Sequence, residues 1–489
     1  MKTFLVSFQT IIFTLFIYAQ NTISVSEITK ANLLTDVKTL SSEEFDGRLP
    51  GSEGYNKAAQ FAANKFKDLG LKPGEKDKYF QYFDIEYNKI IPPAAFKIIV
   101  DQDTTDYELG KDFVFRGFTG TNKFNLPVVF CGYGISRPDL GYDDYSRINV
   151  KNKIVLVFKQ NPGWKINDKG LGTNYPREKS LVAKKFGAKG ILFVSLPNDK
   201  NPQPLIGSVM HGEGDQPIDF PQLQISIDAA NKLLSKTGYS LSELQTKIDE
   251  KKRPLSAVLT TKAFIEANAE YQKNVKTMNV VAMIEGSDPK LKNEYVIIGA
   301  HLDHVGSQAG LLFPGANDNA SGSAGVLEIA KAFSNGGTKP KRSVLFVLFA
   351  GEEQGLNGSK YFVESWNKGY NKIVAMFNLD CIGYGDSIKV GNGKSSPNLW
   401  SIAKQKDKEN FKSMVNDTWS GGGADATHFY EKDIPCLYFV TTNSYDHLHL
   451  PTDKAETLNP ELFEKVVRLA YLTAVEVADG NYKREAVAK

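Results

Sequence analysis

Five side chains suited to holding a divalent metal, His301, Asp318, Glu353, Asp380 and His449, lie between residues 301 and 449, and each follows an apolar run or a tight turn. A further carboxylate, Glu352, stands directly beside Glu353. Imidazole nitrogen and carboxylate oxygen are donors that suit zinc, and one carboxylate can bridge two ions. A glutamate next to a ligand is placed to act as general base on a metal-activated water. Of the six histidines in the chain, five (His301, His304, His428, His447 and His449) fall in this stretch. The set therefore has the composition that two zinc ions per chain require.

Taken singly, each position has an ordinary reading. His301 in His-Leu-Asp-His suits a surface turn. Asp318 in Gly-Ala-Asn-Asp-Asn-Ala-Ser-Gly suits a turn before a helix, and the Glu352–Glu353 pair suits a helix start. Asp380 suits a strand cap and His449 a loop. Their placement together argues otherwise. Residues 295–300, 344–350, 373–379 and 436–440 are apolar runs of strand length, with Asn378 the one polar member of the third. Residues 323–333 and 459–478 carry helical periodicity. Strands apolar on both faces belong to a mostly parallel sheet covered by helices on both sides. His301, Glu352, Glu353 and Asp380 all follow the carboxyl ends of such strands, where open α/β sheets build their sites. Asp303, two residues after His301, is placed to accept the other imidazole N–H.

The 489 residues are too many for one ordinary domain. Residues 28–40 and 55–69 read as helices flanking Gly47-Arg48-Leu49-Pro50-Gly51-Ser52-Glu53-Gly54. From about residue 79 to 258 the texture changes to short β-rich runs at 96–100, 126–130, 154–158 and 191–195, with a helical stretch at 180–186. His211, in a Gly-rich loop of this region, reads as a loop residue. The expected organisation is an export signal at 1–19, an N-terminal part of the main domain at 20–120, a β-rich insert at 121–265 and the rest of the main domain at 266–489. Lys2 followed by the apolar run Phe4–Ala19 has the pattern of a signal peptide, too short to span a bilayer comfortably. The expected location is periplasmic or extracellular, without a stable membrane anchor.

A formal net charge of +3 with well-mixed signs gives no reason to expect a nucleic-acid partner. The three cysteines, Cys131, Cys381 and Cys436, form no C-x-x-C pair, so free buried thiols are expected. The chain has no Gly-x-Ser-x-Gly elbow, no His-Glu-x-x-His helix and no Walker loop. Asn319-Ala320-Ser321 matches a glycosylation sequon, but a glycan there would block the proposed site.

The motifs His301-x-Asp303, Gly-Ala-Asn-Asp318-Asn-Ala-Ser-Gly, Ala-Gly-Glu352-Glu353-x-Gly-Leu-x-Gly-Ser, Asn-Leu-Asp380 and His449 together resemble the M28 family of di-zinc peptidases. The segment around Arg48 is similar to that family's entry segment. Phe130-Cys-Gly-Tyr-Gly-Ile, Tyr142-Asp-Asp-Tyr145, residues 150–157 and 183–190 resemble a protease-associated (PA) domain. The resemblance implies an α/β fold of the zinc-peptidase (phosphorylase/hydrolase-like) type: a mixed, largely parallel sheet flanked by helices, with an inserted β-rich PA domain. It implies Asp318 as the bridge, His301 and Asp380 on one zinc, Glu353 and His449 on the other, and Glu352 as general base. Asp453, in Leu450-Pro-Thr-Asp453, is an expected partner of the ligands, and the Asp318–Asn319 peptide bond is expected to be cis. Peptides are the implied substrates, and an aminopeptidase is the leading activity. A carboxypeptidase or dipeptidase, a glutaminyl cyclase and a non-catalytic receptor ectodomain are alternatives on the same fold. The chain departs from the family at Leu448, where many relatives carry a tyrosine that helps to stabilise the oxyanion. His447 and Tyr445 are the candidates to replace it.

Overall fold

The computed structural model describes residues 25–74, 78–172, 175–212, 214–337 and 339–489; the expected export segment 1–19 lies outside them. Two helices come first, α1 (Lys30–Leu40) and α2 (Glu53–Asp68). Ser52 Oγ accepts the Tyr55 N–H at 3.1 Å and so caps α2. Ala58, Ala59, Ala62, Ala63 and Phe66 fall on one face of α2, and the four small alanines let the helix lie close on the core.

The chain then enters β1 (Phe80–Val100) and passes through β2 (Phe113–Phe115), β3 (Asn122–Cys131), β4 (Ile154–Phe158), β5 (Gly190–Val194) and β6 (Gln222–Ile225). Helix α3 (Pro176–Lys185) lies between β4 and β5, and α4 (Ile227–Leu234) and α5 (Leu241–Lys251) follow β6. The return strand β7 (Ser256–Ile284) runs antiparallel to β1 over most of their lengths, with bulges between Glu266 and Asn268 and between Gln272 and Val275. At 21 and 29 residues these two strands far exceed the usual length of about 5–6. Their outer halves belong to the insert and their inner halves to the main domain, so one hydrogen-bonded sheet runs through both. The insert's core takes in Ile90, Phe96, Ile98, Phe113 and Phe115, which precede residue 121.

The second half alternates strand and helix: β8 (Tyr295–His301), α6 (Gly322–Asn335), β9 (Ser343–Phe349), α7 (Asn357–Ser365), β10 (Ile373–Leu379), β11 (Ile388–Gly391), α8 (Pro397–Asn410), α9 (Ala426–Glu431), β12 (Cys436–Thr441) and α10 (Pro460–Ala478). The sheet order is β11-β12-β10-β8-β9-β7-β3-β4-β5-β6-β2. Strands β12, β10, β8 and β9 are mutually parallel, while β11 and β7 flank them antiparallel. Alternate residues of β8 serve opposite layers. Val296, Ile298 and Ala300 pack with α1, α2, α6 and α10, whereas Tyr295 and Ile297 pack with α7 and α9. That two-sided burial is why the strand reads as an unbroken apolar run. On α10, Leu462, Phe463, Val466, Val467 and Leu469 are buried, and each contributes about 1.5–3 kcal/mol by leaving water. No helix among the described residues is long and apolar enough to cross a membrane.

Arg48 joins the N-terminal segment to this sheet. Its side chain is fully buried, and its guanidinium donates to four backbone carbonyls: Leu302 through Nε (2.8 Å), Leu40 and Pro314 through Nη1 (2.7 and 2.8 Å), and Gly315 through Nη2 (2.8 Å). One planar fork therefore ties the end of α1 to the loops leading out of β8 and into α6. Burial lowers its pKa to about 10, and the charges of Asp453, Asp318, Asp303 and Glu353 work against that loss. Arg48→Met is expected to lower unfolding free energy by at least about 3 kcal/mol, because the carbonyls lose their donors inside the protein. Arg48→Lys should recover little of this, since an ammonium cannot span the same fork. Denaturant titration tests both, and an unchanged midpoint in Arg48→Met would refute the assignment.

Candidate metal centre

The carboxyl ends of β8, β9, β10 and β12 share one edge of the sheet, and each sends a loop to the same place. His301 is the last residue of β8, and Ser323 Oγ donates to its carbonyl at 2.8 Å. Glu352 and Glu353 follow β9 through Ala350 and Gly351, Asp380 follows β10 directly, and His449 lies in the loop beyond β12 with φ of +55°. Asp318 precedes α6 in a non-helical backbone conformation, and the Asp318–Asn319 peptide bond is cis, as expected from the resemblance.

These residues converge in two groups that share Asp318. On one side, His301 Nε2 lies 3.3 Å from Asp318 Oδ1 and 3.5 Å from Asp380 Oδ1. On the other, His449 Nε2 lies 3.2 Å from Asp318 Oδ2 and 2.9 Å from Glu353 Oε2. Donors held at about 2.0–2.1 Å by a tetrahedral zinc stand about 3.3–3.4 Å apart, so the spacing fits such an ion on either side. Asp380 Oδ1 is buried without a hydrogen-bond partner, as an oxygen reserved for a cation would be. The other oxygen, Oδ2, accepts the Tyr438 hydroxyl at 2.8 Å.

His304 joins the second group, a residue that sequence reasoning did not select. Its Nδ1 lies 2.9 Å from Glu353 Oε1 and 3.8 Å from Asp318 Oδ2, and its ring meets that of His449 edge to face at 5.4 Å. The signal was its spacing of three residues from His301 within one loop. Asp425, fully buried before α9, was also missed. Burial raises its carboxyl to about 7, and it adds negative charge near Glu352.

Hydrogen bonds from surrounding loops orient the ligands. The imidazole of His301 turns Nδ1 to the backbone carbonyl of Asp303 at 3.1 Å, whereas the Asp303 carboxylate lies at 3.8 Å. That carboxylate instead accepts the backbone N–H groups of Glu352 (3.2 Å) and Glu353 (3.4 Å), which fixes the loop after β9. The partner expected for the imidazole is thus the carbonyl of Asp303, and its side chain serves the two glutamates. Asp453 accepts the N–H groups of Asn317 (2.8 Å) and Asp318 (3.0 Å). Asn317 and Asn319 lace the same turn to the loop after β10, through Gly383 and Tyr384 N–H and the Leu379 carbonyl. Asn319 is fully buried and so engaged, which leaves no room for a glycan in the fold.

Charge is balanced within the cluster. Burial works to raise Asp318, but hydrogen bonds with His301 and His449 hold it well below the carboxylate range. Burial also opposes ionisation of Glu353, yet His449 and His304 bring it down to about 2. Glu352 moves the other way: burial raises it, and Glu353, Asp425 and Asp380 raise it further against the pull of His301. Two adjacent glutamates thus differ in character, one a charge donor and the other inclined to take up a proton.

Of the candidates for the position vacated at Leu448, His447 is occupied elsewhere. Its Nδ1 meets Thr452 Oγ1 at 2.9 Å, and its ring packs on Tyr384 at 5.1 Å. Tyr445 is 54% exposed and stands beside Tyr438 in the field of Asp380. His211, from the insert, lies close to Gly355 at the wall of a cleft of about 630 Å³ that Gln354 and Glu86 also line. Cys131, Cys381 and Cys436 are free and buried.

Residues 279–474 match peptidase family M28, and residues 120–233 match the PA domain. The chain is 29% identical over 209 residues to a probable leucine aminopeptidase of Arthroderma benhamiae, covering 41% of this chain and 57% of the relative. It is 25% identical over 341 residues to aminopeptidase Y of Saccharomyces cerevisiae, covering 68% of this chain and 52% of the relative. The chain thus spans little more than half the length of these relatives. In fold it is similar to an aminopeptidase from Aneurinibacillus sp. (TM-score 0.65, 21% identity, 93% of this chain and 95% of the other). It is also similar to a peptidase M28 precursor from Shewanella amazonensis (TM-score 0.69, 19% identity, 97% and 100%). The chain carries a family M28 peptidase domain, with a PA domain set between its N-terminal helices and that domain.

Proposed function

We propose that this protein is an exported zinc-dependent exopeptidase, an aminopeptidase that releases N-terminal residues from peptides in the periplasm or outside the cell. One observation carries the reading: the two oxygens of Asp318 face two separate donor groups, with Glu352 beside them and outside both groups. The printed names of the sequence relatives, leucine aminopeptidase and aminopeptidase Y, favour the aminopeptidase over the other activities on this fold.

His301, Asp380 and Asp318 would hold one zinc, and Asp318, Glu353 and His449 the other, with His304 against Glu353. When bound, the zinc ions supply Lewis acidity to the scissile carbonyl and bring the pKa of a water towards about 7. Glu352, beside the donor groups and outside both, takes the proton from the attacking water and delivers it to the leaving amine. Asp303 keeps Glu352 in place through the backbone N–H, so the base is oriented without spending its carboxylate on a structural bond. The Tyr445 hydroxyl, beside Tyr438 and near Asp380, donates to the carbonyl oxygen as it gains charge, in place of the group missing at Leu448.

Glu352→Gln is expected to lower kcat by at least about 10²-fold with zinc content unchanged. Glu353→Gln should lose zinc as well as activity. Metal analysis of both purified variants beside aminoacyl chromogenic amide assays separates the roles, and equal zinc loss in the two would overturn them. Tyr445→Phe should lower kcat about 10²-fold at nearly constant KM, since the hydrogen bond strengthens only as charge develops. A wild-type kcat in that variant would remove Tyr445 from the mechanism.

A further inference from the structure

We infer that the inserted PA domain is a working part of the metal centre, with Gly207 as a positioning residue for His449. The inference rests on the two-ion reading above and adds a contribution from the insert to it. The Gly207 N–H donates to the His449 backbone carbonyl at 2.8 Å. His449 adopts φ of +55°, a conformation that side-chain-bearing residues seldom adopt without support from their surroundings. Gly207 gives that support from another domain, on the residue whose imidazole faces both Asp318 and Glu353.

Only glycine lets the insert come so close. A Cβ at Gly207 would lie 2.9 Å from the Phe313 ring and 2.9 Å from Val305 Cγ2. Both belong to a small core that also holds Val209 of the same loop, so the seam between insert and main domain is packed rather than open. The loop is pinned from its own side too: Ser208 Oγ accepts the Gly117 N–H at 2.9 Å, and a Cβ at Gly117 would meet the Val209 backbone at 2.2 Å. Farther along, His211 borders Gly355, two residues after Glu353. The loop therefore reaches the metal centre from two directions, and any shift of the insert is transmitted to the carbonyl of His449. Because coupling is reciprocal, occupancy of the His449 side must in turn steady the Gly207 loop.

The test measures zinc affinity in the full chain by competition with a chelator, for wild type, Gly207→Ala and Val209→Ala. Wild type is expected to bind two zinc ions. Gly207→Ala should weaken one of them tenfold or more and leave the other unchanged. Val209→Ala loosens the same seam without touching the bond, so it should lower the unfolding temperature and keep both ions. Two ions at wild-type affinity in Gly207→Ala, or equal zinc loss in Val209→Ala, would overturn the inference. Hydrogen exchange on the wild-type chain gives a readout independent of how the variants fold. Adding zinc to the stripped protein should slow exchange in a peptide containing Gly207, and unchanged exchange would overturn the coupling. A wild-type content of one zinc would overturn the two-ion reading itself, and this inference with it.

Discussion

Crowded negative charge at one edge of the sheet is the constraint to which the rest of the structure answers. Asp318 stands within a few ångströms of both Glu353 and Asp380, with Glu352, Asp303, Asp425 and Asp453 close behind. Two like charges about 4 Å apart repel by about 4 kcal/mol at the effective dielectric of a protein site. Left unopposed, such a group would take up protons or force the loops apart. Three imidazoles, one buried guanidinium and a series of backbone N–H donors oppose it. The imidazoles hold Asp318 and Glu353 low in pKa, whereas burial dominates at Asp303, Asp425 and Asp453 and raises each to about 7. A pair of divalent cations between the two donor groups would complete the compensation.

That compensation requires loops that do not move, and the sheet provides them. Four parallel strands end along the same edge, and each is anchored on both faces by apolar side chains. Loops that would otherwise be mobile are then cross-linked by side-chain to backbone hydrogen bonds. Arg48 ties the loops after β8 and before α6, Asp303 the loop after β9, and Asp453, Asn317 and Asn319 the turn that carries Asp318. Each of these side chains bonds to main chain rather than to the ligand side chains, so ligand geometry is set largely through the backbone, with the Asp303 carbonyl alone of this group meeting an imidazole directly.

The insert is attached in the same manner. The two long strands β1 and β7 carry one sheet from the main domain into the insert, which limits hinge motion between them. A packed seam around Phe313 and Val209 reinforces that ribbon, and the cleft beside His211 lies where the two parts meet. The wall of that cleft is therefore built by both.

Much of this was legible in the sequence, for definite reasons. The strands at 154–158 and 373–379 and the helices beginning near 322 and 460 announce themselves, because burial on two faces leaves a continuous apolar run and burial on one face leaves a period near 3.6. His301, Asp318, Glu352, Glu353, Asp380 and His449 stood out as a set, because four of them follow strand ends of one sheet and together they supply the donor types that zinc takes, although each alone has an ordinary reading. The long ribbon was not legible: β1 contains Pro92 and Pro93 and many polar residues, and its pairing with β7 joins positions more than 150 residues apart. His304 and Asp425 were hidden for a related reason. Asp425 has no distinctive neighbour in sequence and His304 offers only its spacing from His301, and each gains its place only when loops from different strands close around one point. Residue types and strand-end spacing by themselves pointed to a parallel α/β sheet and to five candidate donors, since both are local properties. Which oxygen of Asp318 faces which imidazole, that the Asp303 carbonyl rather than its side chain meets His301, and that a glycine of the insert touches His449 were decided only by tertiary packing, because each depends on the separation of atoms that the chain order leaves far apart.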